Sequence, residues 1–315
     1  MSIERKIMMK RITSILLCIV LTAAFALPAF SAQTDALPYD DSAFFEYGDY
    51  TIHYRVQRAE PEKGRILFLH GFLASTACWE ELSAIMTENG YTCVLMDLPD
   101  FGYSSRETAQ MERVAREDIV YALMTELSDE PWYLAGHSMG GYTALAVAQK
   151  YPESVRNLLL YSTAGNNGIF DLIAPLTKNS FITRILGGMI DKIGVTPTLV
   201  KLIMAYATQD DEFVANYDLE KLMAPYRIEG TGAGILRSLS THTKTDYDAV
   251  RQMNPILWIN GDRDFVCPEK ERMNLRAALP SESVEIRLKG AGHMLIENRA
   301  EEVAALTLDF LEKNP

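Results

Sequence analysis

Cysteine is scarce in this chain: there are four in 315 residues, and only Cys78, Cys93 and Cys267 lie beyond residue 31. Three thiols exclude a disulfide framework, but a single Cys78–Cys267 bridge stays open, because sequence alone carries no distance. The cysteines are scattered, and neither a His-Glu-x-x-His motif nor a phosphate-binding loop occurs, so no metal or cofactor is expected. Basic residues are the scarcer charge, 30 Lys and Arg against 42 Asp and Glu. The resulting −12 argues against a nucleic-acid or anionic-membrane partner. Internal repeats and low-complexity tracts are missing as well. What is present, 48% apolar and 23% charged residues, is the composition of a globular protein. Its length allows one large core, or one core with an inserted subdomain.

The N-terminus stands apart. Arg5, Lys6, Lys10 and Arg11 precede an apolar run from Ile15 to Ala26, and Ala29-Phe30-Ser31 offers a small-x-small site, with Ala24-Phe25-Ala26 as a second choice. This order predicts a secretory signal peptide over 1–31, or alternatively an uncleaved membrane anchor. Cys18 is a poor lipoprotein site because bulky Leu16 and Leu17 precede it. The protein is therefore expected to be exported, or held at a membrane by that segment alone. Removing 1–31 takes away a net +3 and moves the charge from −12 to −15.

Beyond a loose arm expected over 33–45, short apolar runs alternate with helical patterns. Strands are predicted at 50–56, 65–70, 91–97, 132–135 and 155–161. Helical spacing appears around Trp79 to Met86, over Glu107 to Leu127 and after Ser138. The alternation lapses over 166–240 and resumes with strands at 256–260 and 284–288 and helices at 269–278 and 299–311. Such alternation means a mostly parallel sheet covered on both faces, with ligands at the carboxyl ends of its strands. The gap reads as an inserted helical cap, which leaves 46–165 and 241–315 as the core.

Gly136-His137-Ser138-Met139-Gly140-Gly141 lies between a predicted strand and a helix. A serine flanked by glycines at such a joint is the mark of a nucleophile elbow, since the turn is too tight for side chains beside it. An elbow of this kind needs a base, an acid and an oxyanion site. Among the five histidines, His53 and His70 belong to strands, His137 adjoins the serine and His242 falls near the end of the insertion. His293, in the loop Gly290-Ala291-Gly292-His293-Met294, alone follows a strand at the right edge. Asp262 and Asp264 both follow the preceding strand, and either suits the acid. The order Ser, Asp, His fits the elbow type. Backbone N–H groups of Met139 and Phe72 are the expected oxyanion donors.

Together His70-Gly71-Phe72, the elbow, Gly261-Asp262-Arg263-Asp264 and Gly290-Ala291-Gly292-His293 resemble the α/β-hydrolase superfamily from about Tyr50 onward. Asp97-Leu98-Pro99-Asp100-Phe101-Gly102 is similar to a structural loop of that family. The resemblance implies the α/β-hydrolase fold with a cap over 166–240, selects Asp264 as the acid, and gives Ser138, Asp264 and His293 as the triad. Cys267, where relatives often carry an apolar residue, is not expected to touch it. The activity implied is acyl transfer to water from small-molecule carboxylic esters with an apolar acyl part. Carbon–carbon bond hydrolysis, peroxidase-like chemistry and a non-catalytic binding role are the alternatives.

Overall fold

The computed structural model describes residues 37–107, 111–165, 177, 180–241, 243–267 and 269–315. The expected signal segment, His242 and the stretch 166–176 of the expected cap lie outside the described residues. The strands are β1 (Ser42–Tyr47), β2 (Tyr50–Gln57), β3 (Gly64–Leu69), β4 (Tyr91–Met96), β5 (Trp132–His137), β6 (Val155–Tyr161), β7 (Ile256–Gly261) and β8 (Val284–Leu288). They form one sheet in the order β1-β2-β4-β3-β5-β6-β7-β8. β1 and β2 run antiparallel at one edge, and every ladder from β4 to β8 is parallel.

The helices are α1 (Glu80–Glu88), α2 (Arg116–Leu127), α3 (Met139–Lys150), α4 (Ser180–Ile193), α5 (Pro197–Thr208), α6 (Asp211–Asn216), α7 (Leu219–Met223), α8 (Thr231–Ser238), α9 (Tyr247–Val250), α10 (Glu269–Arg276), α11 (Leu295–Asn298) and α12 (Ala300–Lys313). Strand residues divide by parity between two cores, because successive side chains point to opposite faces. Leu67, Leu69, Val94, Met96, Leu134, Leu158, Leu160 and Trp258 pack with α2 and α3. Ile66, Phe68, Cys93, Leu95, Tyr133, Leu159, Tyr161 and Ile259 pack with α1 and α12. A strand apolar at every position is thus one buried on both sides. Between β6 and β7 the described chain is helical, α4 to α9, with no strand among the described residues there.

Two expectations need correction, and the cysteine bridge left open is absent. The arm expected to be loose is strand from Ser42, paired with β2 in the register Phe44 opposite His53. Its anchors are polar: Arg55 binds Asp41 at 2.7 Å and Glu80 at 3.0 Å. The helix expected from Glu107 begins only at Arg116. Glu107 and residues 111–115 are outside the helix: Asp100 Oδ1 accepts the Glu107 N–H at 2.9 Å and Arg106 binds the carbonyls of Phe101, Gly102 and Ser104. No bridge joins Cys78 and Cys267; both are free and buried, as is Cys93.

One buried carboxylate holds the loops at the strand ends. Asp97 accepts the N–H of Thr76 at 2.7 Å on one oxygen, and on the other the N–H of Tyr103 at 2.8 Å and the His53 Nδ1–H at 2.7 Å. Burial works to raise its pKa, but the His53 hydrogen bond and charge outweigh it and hold the carboxyl below the usual range. Removing such an acceptor strands several buried donors. Asp97→Ala is therefore expected to cost about 3–5 kcal/mol of stability. Urea unfolding is the check, and a loss no larger than that of a surface substitution would disprove this role.

Candidate active site

Ser138 leaves β5 with φ 51° and ψ −114°, a backbone geometry that residues with side chains rarely adopt. The strain comes from what lies behind it. A β-carbon on Gly140 would stand 2.0 Å from the Leu69 carbonyl oxygen, and one on Gly136 would stand 2.6 Å from that of Gly140. Only glycine lets α3 lie this close to β3 and β5. The Ser138 N–H donates to the Tyr161 carbonyl at 3.0 Å, and Thr163 Oγ1 donates to the Ser138 carbonyl at 2.9 Å. Met139 opens α3, so its N–H has no acceptor within the helix.

The loop after β3 comes up beside the elbow. A β-carbon on Gly71 would lie 3.2 Å from Ser138 Cβ. His70 Nε2 accepts the Leu98 N–H at 3.0 Å, which places its proton on Nδ1, and that proton goes to the Gly71 carbonyl at 2.7 Å. Burial lowers the His70 pKa, so the ring stays neutral. Because the peptide is planar, fixing the Gly71 carbonyl also fixes the direction of the Phe72 N–H.

Asp264 and His293 meet after β7 and β8. His293 Nδ1 donates to Asp264 Oδ2 at 3.0 Å, leaving Nε2 to accept a proton. Asp264 is 2% exposed. Desolvation would raise its pKa, but the charge and hydrogen bond of His293, with the N–H groups of Cys267 and Val266, hold it low. Asp262 instead accepts the Gly290 N–H at 2.7 Å and pins the turn. Contrary to expectation, Cys267 does touch this group: its N–H donates to Asp264 Oδ1 at 3.2 Å. Ligand atoms of Asp264, Cys267 and His293 fall within 4.8 Å of one another. Burial keeps the Cys267 thiol protonated, and its S–H donates to the Ser162 carbonyl at 3.0 Å, so the trio is a hydrogen-bond set rather than a thiolate metal site. His137 Nε2 donates to the His293 carbonyl at 2.9 Å, with the two rings 4.9 Å apart. No hydrogen bond within 3.5 Å joins the Ser138 hydroxyl to the His293 ring, a contact often long in a hydrolase without substrate.

A family model described as the alpha/beta hydrolase fold matches residues 64–300. The chain belongs to the α/β-hydrolase family. It is 25% identical over 288 residues to monoacylglycerol lipase ABHD6 of Bos taurus, covering 85% of this chain and 81% of that protein. Among solved structures it is similar to a meta-cleavage product hydrolase from Pseudomonas fluorescens IP01, with TM-score 0.70, 17% identity and coverage of 87% and 98%. A thermophilic esterase from Thermogutta terrifontis matches with TM-score 0.65, 19% identity and coverage of 84% and 94%.

In this α/β-hydrolase the helical insertion grips both loops of the site. The His293 N–H donates to the Ala207 carbonyl at 2.6 Å, Tyr226 donates to the Leu73 carbonyl, and Arg237 binds Asp100 at 2.6 Å. Sequence reading missed these contacts, and it also missed Arg116 and the His53–Asp97 pair. Polar residues in an apolar pattern read as surface, and only Asp97, within its glycine-bearing loop, carried any signal.

Tyr217 of the insertion donates to Glu297 Oε2 of α11 at 2.7 Å. Desolvation pushes the Glu297 pKa up to about 7. The Tyr217 hydrogen bond and Lys221 oppose the rise, and Glu80 and Glu81 add to it. Folding therefore takes up a proton between the ordinary value of 4.5 and about 7. The stability this group confers is complete below the lower value and disappears as pH rises through the upper one. Between pH 5 and 8 the melting temperature of the native chain is expected to fall relative to Glu297→Gln. Parallel curves from scanning fluorimetry would refute the assignment.

Proposed function

We propose that this α/β-hydrolase is a serine hydrolase of carboxylic esters, acting through an acyl-enzyme on Ser138. The observation that carries the reading is the Ser138 backbone, φ 51° and ψ −114°, at a strand–helix joint whose neighbouring strand ends deliver a buried His293–Asp264 pair. Strain of this kind persists only where the surroundings enforce it, and it fits a nucleophile raised clear of the sheet.

In the proposed reaction His293 Nε2 takes the Ser138 proton as the oxygen attacks the ester carbonyl. Asp264 holds the ring and stabilises its charge. The N–H groups of Met139 and Phe72 receive the oxyanion. The ring then gives its proton to the departing alcohol, and water repeats the sequence to release the acid. The substrate is a small ester with an apolar acyl part, and the insertion serves as its cap. Tyr206 and Phe265, 37% and 51% exposed, adjoin in sequence the residues bonded to His293 and are apolar groups available to such a substrate. The resemblance in sequence to a monoacylglycerol lipase supports esters, whereas the likeness to the thermophilic esterase and to the meta-cleavage hydrolase is one of fold. Export through residues 1–31 belongs to the same proposal.

A fluorophosphonate probe is expected to label the native chain and leave Ser138→Ala unlabelled; equal labelling would end the serine-hydrolase reading. Asp264→Asn is expected to lower kcat on p-nitrophenyl esters by about 10³–10⁴-fold, because the base loses its tautomer. Retained activity would instead move the acid elsewhere. Rates across esters of rising chain length test the apolar acyl part, and a preference for acetate alone would count against it.

A further inference from the structure

Arg116 is 5% exposed, yet no carboxylate or carbonyl accepts from its guanidinium among the described residues. Its one polar contact is Nη1 to the thioether of Met139 at 3.4 Å, and the Phe101 ring lies 5.8 Å away. An arginine cannot shed its charge, and its remaining guanidinium nitrogens, which are not fully shut off from solvent, have no protein acceptor among the described residues. The carboxylates nearest in electrostatic reach, Asp100, Glu107 and Glu117, are bonded to Arg237, Arg113 and Thr243 respectively. Arg116 is also the first residue of α2, where the helix dipole disfavours a cation and favours an anion.

The position says what the donors face. Asp100–Arg237 is a contact across the seam between core and insertion, the kind of seam in which ligands bind, and Glu117–Thr243 ties α2 to the chain just after the insertion. Met139, which the guanidinium touches, is the residue after Ser138 and carries the proposed oxyanion N–H. We propose that Arg116 is an anion-binding subsite of the substrate pocket, so that the ester cleaved carries a second, anionic group, a carboxylate or a phosphate, held in the core–insertion seam beside the nucleophile. The guanidinium fork fits either through paired N–H···O bonds. This proposal deepens the ester-hydrolase reading and rests on it for the chemistry, but not for the binding.

Calorimetry on full-length Ser138→Ala, which needs no turnover, tests the binding with succinate and inorganic phosphate as probes. One of the two is expected to bind, a carboxylate group if succinate and a phosphate group if phosphate. Arg116→Met in the same background is expected to weaken binding about tenfold or more, and Arg116→Lys to recover part of it. Circular dichroism and melting establish that each variant folds. Binding of neither probe, or binding indifferent to Arg116→Met, overturns the subsite. In the active chain, mono-p-nitrophenyl glutarate is expected to exceed p-nitrophenyl valerate by about tenfold in kcat/KM, and Arg116→Met to abolish that preference. An equal loss on both esters assigns Arg116 to structure and overturns the proposal. If neither ester is cleaved, the ester reading fails while calorimetry still decides the subsite.

Discussion

The site depends on one steric approach. Gly140 sits so near the Leu69 carbonyl that a β-carbon there would be 2.0 Å from it. That closeness puts the first turn of α3 against the end of β3, and two consequences follow. The chain between β5 and α3 has no room to turn except through the left-handed geometry of Ser138. The loop leaving β3 is brought up beside the serine, so Gly71 and Ser138 become neighbours although 67 positions separate them in the sequence. A larger residue at 140 would move both at once. The elbow is therefore a packing constraint before it is a chemical device.

Hydrogen bonds then fix what packing brings close. Asp97 ties the loop after β3, through Thr76, to the loop after β4, through Tyr103, and to β2 through His53. His53 in turn accepts from the Ser42 hydroxyl at 2.8 Å, which is why the N-terminal arm pairs as a strand. His70 carries the same order one step further, from Leu98 to the Gly71 carbonyl. Asp97, His53 and His70 are fully buried, where an unmet group costs most. Orientation of the Gly71–Phe72 peptide is thus inherited from residues that touch no reacting atom.

The sheet and the site were legible to different degrees. Strand positions followed from unbroken apolar runs, because both faces are buried and parity divides Leu67 and Leu69 from Ile66 and Phe68. The glycines at 136 and 140 announced a tight strand–helix turn, and the His70-Gly71, Asp264 and His293 segments made it read as an elbow. Choosing Asp264 over Asp262 needed the family pattern, because both sit in one turn and only three-dimensional contact separates their partners, His293 and the Gly290 N–H. The start of α2 was illegible: Met111 and Val114 continue the helical spacing, but the loop from Asp100 to Glu107 uses side-chain contacts that local propensity does not encode. Arg116 was invisible for a related reason. A charged residue in an amphipathic pattern reads as solvated, and its burial without a carboxylate or carbonyl acceptor among the described residues appears only in three dimensions.

Three buried histidines crowd the site, and their partners divide the work. His70 has a carbonyl and an N–H as partners, and His137 donates to a carbonyl; neither faces a carboxylate at hydrogen-bond distance. Burial lowers both pKa values, and in His137, where repulsion from His293 adds to it, the value falls to about 3. They therefore remain neutral donors across the working pH range and hold the Gly71 and His293 carbonyls in place. His293 alone has a carboxylate behind it, which fixes its proton on Nδ1 and leaves Nε2 open, whereas the other two rings spend theirs on backbone carbonyls.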